Sequence, residues 1–324
     1  MQRLEATAPA SGLAPRVSIG MPVYNGAKYL EIALDSILAQ TFTDFELIIS
    51  DNASTDGTQA ICERYRDRDS RIQYHRNERN MGASWNFNRV YALSRAPYFK
   101  QAAHDDVLAP TFLERCVELL DRDPSVVMAY PRTILIDGDG REIQRTEGTL
   151  DLRHERPHER FQAFHHTFGD WSICHPIFGV MRKAPVANRE ILPAYIASDM
   201  VLLCELALHG KICELPDYLF SLRWHAGAST VANKPYSLRA LWFDPKLANS
   251  IQIPLTYYRW LYEYVRMISV VKMSAYERLR CYQQMPRWIY RHRTKLLRAA
   301  KEAAQITLQQ AFRPKLSSKK VGNA

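Results

Sequence analysis

Between residues 16 and 136, short apolar runs alternate with helically patterned stretches at roughly 20–30-residue spacing. No other feature restricts the fold as much. Parallel strands need a crossover long enough to hold a helix, so the repetition predicts an α/β fold, a mostly parallel central sheet flanked by helices. The predicted strands are 16–23, 45–49, 72–75, 98–102 and 126–136. Helices are predicted over 28–40, 54–68, 83–94 and 111–121, with Ser54 as the N-cap of the second. In such sheets ligands bind beyond the carboxyl ends of the strands. Asn25, Asp51–Asn52 and Asp105–Asp106 follow three of those ends, so the topology brings them to one edge.

The remainder is less regular. A helix is expected over 154–168, and a stronger one over 199–209 closed by Gly210. Strands are expected at 211–215 and 218–224. His154, His158, His165 and His166 stand among Arg and Glu at spacings that suit no tetrahedral metal site, and they read as a solvated helix face. Trp171 and His175 are candidate sugar contacts or core residues. From residue 236 the chain is aromatic, basic and largely helical. The expected organisation is a flexible leader (1–15), a globular domain (16–235, with halves 16–136 and 137–235) and a basic helical C-terminal appendage (236–324).

With 324 residues, 47% of them hydrophobic and 24% charged, the chain can fill a large core. The leader lacks the apolar run of a secretory signal, and no uncharged apolar stretch of about 18 residues predicts a membrane-spanning helix. The six cysteines form no C-x-x-C pair and read as buried hydrophobes of a reducing, cytoplasmic compartment. Between residues 251 and 320 there are 15 Lys/Arg against 3 Glu and no Asp, a net +12; the whole chain carries +9, which leaves −3 elsewhere.

The first strand is followed by neither a G-x-G-x-x-G nor a G-x-x-x-x-G-K-[ST] loop. Another device must therefore hold a diphosphate on this nucleotide-type sheet. The economical one is a divalent cation, Mg²⁺ or Mn²⁺, gripped by carboxylates at a strand end, for which Asp105–Asp106 are placed.

The order and spacing of several short motifs resemble the family-2 glycosyltransferases, which have the GT-A fold. The motifs are Pro22-Val-Tyr-Asn25, Ser50-Asp-Asn-Ala-Ser-Thr-Asp-Gly-Thr58, Asn80-Met-Gly82 with Asn88, His104-Asp-Asp106, Ser198-Asp199 and Arg223-Trp-His225. The resemblance covers about residues 16–230 and implies a nucleotide-binding half (16–136) and an acceptor half (137–235). It implies that Asp51 contacts the nucleotide base and that the backbone at Pro22, Val23 and Asn25 lines the base and ribose pocket. Asn80, Gly82 and Asn88 belong to the same nucleotide-sugar site. Asp106 is the implied main metal ligand, Asp105 faces ribose or sugar, and His104 replaces the usual first acid of the metal motif. Asp199 matches the catalytic base, which implies inversion at the anomeric carbon. Arg223 is an implied phosphate contact, and His225 a metal or phosphate ligand.

The expected reaction is transfer from a nucleoside-diphosphate sugar, UDP-linked, to a glycan or lipid-linked saccharide in polysaccharide biosynthesis. Plainer readings stand beside these roles. Asp51 suits a turn, Asp105–Asp106 a solvated loop, and Asp199 a helix N-terminus. An inactive sugar-nucleotide-binding scaffold would keep the fold, and a nucleotidyltransferase would share the sheet but bring a Gly- and Lys-rich loop absent here. The basic C-terminal region fits a solvated appendage, a homo-oligomer contact, or an anionic membrane surface reached by Trp260, Tyr262, Trp288, Ile289 and Leu296–Leu297. The last would make the protein peripheral on the inner face of the membrane. The acidic first half argues against nucleic acid.

Overall fold

A computed structural model of the chain describes residues 14–147, 150–167, 171–232, 236–249 and 255–311. The expected leader falls almost wholly outside these residues. Nine strands form one sheet: β1 (Val17–Val23), β2 (Phe45–Asp51), β3 (Ile72–Arg76), β4 (Tyr98–Gln101), β5 (Val107–Leu108), β6 (Val126–Ile136), β7 (Glu142–Thr146), β8 (Val180–Arg182) and β9 (Lys211–Arg223). Their order is β3-β2-β1-β4-β8-β6-β9-β5, with β7 paired to β6. β1 to β4 run parallel, as expected from the alternation. The short β8 is antiparallel to both β4 and β6 and joins the two halves.

Helices α1 (Ala27–Leu38), α2 (Thr58–Arg68), α3 (Ala83–Leu93) and α4 (Phe112–Arg122) fill the crossovers. Every residue of β1 and β2 is buried, which is the pattern of strands covered on both faces. Alternate side chains feed separate cores. Val17, Ile19, Met21, Leu47 and Ile49 pack with α1, α2 and α4; Ile48, Phe99 and Met128 pack with α3 and the later helices.

Two local expectations change. Ser54 does not cap α2, whose N-cap is Gly57; its Oγ instead accepts the N–H of Asn25 at 2.9 Å, tying the loops after β1 and β2 together. The two strands expected at 211–215 and 218–224 are the single β9, and Pro216 is tolerated because the pairing with β6 shifts register between Pro131 and Arg132. β8 hid in an irregular stretch. It depends on Gly179, where a Cβ would stand 2.5 Å from the Ala129 carbonyl oxygen.

The second half adds α5 (Pro157–His166), α6 (Ser198–His209), α7 (Ser229–Ala232), α8 (Tyr236–Phe243), α9 (Thr256–Val270), α10 (Ala275–Tyr282) and α11 (Met285–Ala311). Helix α6 is buried from Met200 to Leu208 because α5 and α9 cover the side that the sheet does not, with α10 and α11 packed on them in turn. The C-terminal region is helical as expected, and one face of it forms a layer of the core. Trp260, Tyr264, Met267 and Trp288 join the same cluster as Val201 and Cys204. The histidines of α5 are not one solvated face: His158 and His165 are buried, and His158 Nδ1 contacts the Glu277 carboxylate of α10. Cys62, Cys116, Cys204, Cys213 and Cys281 are free and buried. No helix among the described residues is long and apolar enough to cross a membrane.

Candidate functional site

A cavity of about 630 Å³ opens at the carboxyl ends of β1, β2 and β4. One wall is the loop from Pro22 to Tyr29, and the floor carries Asn52, Asn80 and Asn86. The loop is held by side chains that follow β2. The Asn25 backbone has φ 52°, in the left-handed region that asparagine tolerates, and its Oδ1 accepts the Thr55 N–H at 2.8 Å. Gly26 donates to Thr58 Oγ1 at 2.9 Å. A Cβ at Gly26 would meet the His104 ring at 2.5 Å, so the ring lies directly against this backbone.

The floor is an amide network. Asn52 Nδ2 donates to Asn80 Oδ1 at 2.8 Å, and Asn52 Oδ1 accepts the N–H of Met81 at 2.9 Å. Asn86 Nδ2 donates to the Ser50 carbonyl at 2.8 Å, while Ser50 Oγ donates to Asn86 Oδ1 at 2.6 Å. Asn52 and Asn86 are buried, and amides bonded in this way hold a fixed pattern of donors and acceptors at the cavity surface.

At the β4 end the two aspartates part company. Asp105 lines the cavity, and its Oδ2 lies 2.8 Å from His225 Nε2, also on the wall. Asp106 turns inward, accepting the Arg223 N–H at 2.9 Å. Burial first, and then the charge of Asp105, push the Asp106 carboxyl up to about 8. Lys100, buried beneath it and donating to the Gln101 and Phe178 carbonyls, is driven the opposite way by burial, down to about 8. The placement differs from the expected division of labour: in the bend between β4 and β5, Asp105 faces the cavity and Asp106 does not.

Arg223 also stands away from the cavity. It is buried, its guanidinium donates to the carbonyls of Asp105, Asp137 and Gly138, and it lies 4.7 Å from the Tyr29 ring centroid. It braces the loop that carries Asp105 and is absent from the cavity lining. The Tyr29 and His225 rings meet at 4.8 Å, tilted by 60°, so Tyr29 contacts both Arg223 and His225.

Pro22, Val23, Asn25, Asn80, Asp105 and His225 thus meet on the cavity; Asp51, Gly82, Asn88, Asp106, Asp199 and Arg223 do not line it. Asp51 is fully buried. Its oxygens accept from Ser54 N–H at 2.8 Å, the Tyr74 hydroxyl at 2.9 Å and Arg76 Nη1 at 2.6 Å, and the neighbouring Asn52 faces the cavity in its place. Gly82 has φ 87°, and a Cβ there would strike Pro245 at 2.5 Å. Asn88 clamps the backbone of Leu192 with two bonds of 3.0 Å, and Ser84 adds a third at 2.6 Å, fixing to α3 the loop that leads into α6. Asp199, half-buried at the start of α6, accepts the Met200 N–H at 2.9 Å and follows Ala197, whose φ is 58°. His175 is buried, and the side chain of Trp171 lies outside the described residues.

Sequence reasoning missed Lys28, Tyr29, Asn86 and Phe178, and also Leu241, Trp242 and Pro245, by which the C-terminal region closes one side of the cavity. Asn52 was signalled only as the partner of Asp51. Nothing local marks Trp242, which packs on Phe87 at 6.4 Å. Among the described residues, no group of three or more His, Cys, Asp or Glu is placed to hold a metal ion.

A family model described as glycosyl transferase family 2 matches residues 18–189. Chondroitin synthase of Escherichia coli is 34% identical over 129 residues, 40% of this chain and 19% of that protein. An uncharacterized glycosyltransferase of Rickettsia prowazekii is 38% identical over 125 residues, 38% of each. The chain therefore spans well under half the length of these curated relatives. A Mycobacterium tuberculosis protein is 26% identical over 285 residues, 82% of this chain and 87% of its own. Among solved structures, residues 1–349 of S. aureus TarS in complex with UDP-GlcNAc superpose with TM-score 0.59 at 18% identity, covering 86% of this chain and 72% of that one. The UDP complex gives 0.53 at 16%, covering 92% and 93%. The likeness establishes a GT-A architecture.

Proposed function

Because this chain belongs to glycosyl transferase family 2, we propose that the cavity takes a nucleoside-diphosphate sugar, UDP-linked, and delivers its sugar to a hydroxyl of a glycan or lipid-linked saccharide. The observation that carries this reading is the Asp105–His225 pair, 2.8 Å apart and facing the same space as the Asn52–Asn80–Asn86 floor. The amide floor and the Pro22–Asn25 backbone offer donors and acceptors to a base and ribose. Lys28, on the same wall, offers a cation to the diphosphate.

A carboxylate oxygen would suit Mg²⁺ or Mn²⁺, and the imidazole nitrogen beside it would favour Mn²⁺ of the two. Bound there, the ion would supply Lewis-acid stabilisation of the leaving diphosphate. Asp105 and His225 are its holders in this proposal, replacing Asp106. Arg223 and Tyr29 keep that pair in place, and Asp106 anchors the backbone of Arg223. Asp199 is the proposed general base: it accepts the proton of the acceptor hydroxyl as that oxygen attacks the anomeric carbon. One carboxylate on the face opposite the leaving group gives inversion.

A thermal-shift panel of UDP-, GDP- and dTDP-sugars, with and without Mn²⁺, tests the reading. UDP-sugars should raise the melting temperature, and more so with the ion. If no nucleotide sugar moves it, the proposal fails. Stabilisation without release of the nucleoside diphosphate in the presence of saccharide acceptors would indicate a binding scaffold instead.

A further inference from the structure

Helix α11 carries two apolar faces, and only one is used. Met285, Trp288, His292, Leu296 and Ala299 recur every three or four residues and are buried against the core. On another side Tyr290, Leu297 and Leu308 are 66%, 69% and 57% exposed. Their separations of seven and eleven residues are close to two and three whole turns, so they form one line. Arg287, Arg291 and Arg298, four and seven residues apart, form a second line between the exposed and the buried faces. Arg293 lies 4.1 Å from the Tyr290 ring centroid, and Arg298 also pairs with Glu302.

The basic line borders a crevice of about 20 Å³ between the end of α5 and α11, lined by His165, His166, Gln284, Arg287, Trp288 and Arg291. It has room for one or two oxygen-sized groups. His165 is 7% exposed and enclosed by the rings of Phe161, Phe164 and Tyr264. Neither of its ring nitrogens has a hydrogen-bond partner among the described residues. A buried imidazole with an unmet N–H beside two guanidinium groups is completed by an anionic oxygen.

We propose that this face of α11 docks on an anionic lipid bilayer. Tyr290, Leu297 and Leu308 enter the acyl boundary, Arg287 and Arg291 take headgroup phosphates, and the His165 crevice receives a phosphate oxygen. Charge complementarity selects the occupant. Residues 255–311 hold 11 Lys/Arg against 3 Glu, a net +8. A second copy of the chain would set like-charged rows together, and nucleic acid would leave the apolar line uncovered. Arginine stems can lie along apolar surface while their heads reach the phosphates, which is how a basic amphipathic helix rests in the interface plane.

Sedimentation of the full chain with vesicles of phosphatidylglycerol and phosphatidylcholine in equal parts, against phosphatidylcholine alone, tests this. Binding is expected to the first and not the second, and it should weaken with salt. Leu297→Asp should lower partitioning about tenfold or more, and Arg287→Gln roughly fivefold. Leu297 is exposed, so an unchanged melting temperature verifies that the variant folds. Absence of binding to the anionic vesicles, or equal binding by wild type and Leu297→Asp, overturns the proposal. So does a Leu297-dependent dimer, or retention on duplex DNA, without vesicle binding.

Discussion

The two walls of the cavity are held by different forces. On the β1–β2 side, Asn25, Asn52, Asn80 and Asn86 are each fixed by hydrogen bonds of 2.6–2.9 Å, to Thr55, to one another or the Met81 backbone, and to Ser50. On the opposite side, Leu241, Trp242 and Pro245 are held by packing: Trp242 against Phe87 and Phe243, and Pro245 over Gly82. Hydrogen bonds specify residue types at fixed spacings. Packing specifies only shape, which many residues can fill. A wall of the first kind shows itself in short motifs, and a wall of the second kind does not.

The largest test of this contrast is Trp260→Ala. Trp260 is buried in the layer over α6, and its Nε1 donates to the Ile196 carbonyl at 3.0 Å. Truncation should destabilise by roughly 3–5 kcal/mol. Denaturant unfolding should remain one transition, because α6 shares its core with the sheet; a separate early transition would mean that the packed wall folds independently.

Next come the two aspartates. Asp105→Asn should lower metal-dependent turnover about a hundredfold or more, by removing charge from the cavity. Asp106→Asn should cost less than about tenfold, because the amide oxygen still accepts the Arg223 N–H. The reverse ranking in steady-state kinetics would return the ligand role to Asp106.

Gly82→Ala probes the contact between the walls. A left-handed backbone and a Cβ 2.5 Å from Pro245 should together destabilise by about 1–3 kcal/mol and raise the KM for donor. An unchanged urea midpoint would show that Pro245 yields without effect.

The smallest expected effect is a pH dependence confined to the packed side. Burial lowers His165 from 6.5 to about 3. Its folded pKa lies below its unfolded value, so the stability it lends is present above 6.5 and is lost as pH falls from 6.5 towards 3. At pH 6 the loss is about 1 kcal/mol. His165→Phe should reduce the slope of the stability profile between pH 7 and 5, leaving the part due to His292, which burial lowers to about 4; an unaltered slope would assign the acid sensitivity elsewhere.

The parallel half was legible because each strand is a short, fully buried apolar run and each crossover helix shows its own period, so β1 to β4 and α1 to α4 lie within a few residues of expectation. The candidate site was legible as an edge: Asn25, Asn80, Asp105 and His225 do meet there. The second half was harder to read. β8 is three residues long, and its place depends on a close approach at Gly179 that no local pattern encodes. The C-terminal aromatics looked like one amphipathic set, but Trp260 and Trp288 are core while Tyr262, Tyr290 and Leu297 are exposed. Helical period gives the angle between two faces and is silent on which face meets the core.

The amino-acid sequence by itself determined the alternating sheet, the polar edge and the family, because periodicity and spaced motifs are local properties of the chain. Only the tertiary structure decided which member of each adjacent pair serves the cavity. Asn52 faces it while Asp51 is spent on Tyr74 and Arg76, and Asp105 faces it while Asp106 holds the backbone of Arg223. The reason is the same in both pairs. Adjacent residues at a strand end or in the bend beyond it point different ways, and which one meets the cavity is set by the partners packed around them, Tyr74 and Arg76 for Asp51 and the Arg223 backbone for Asp106.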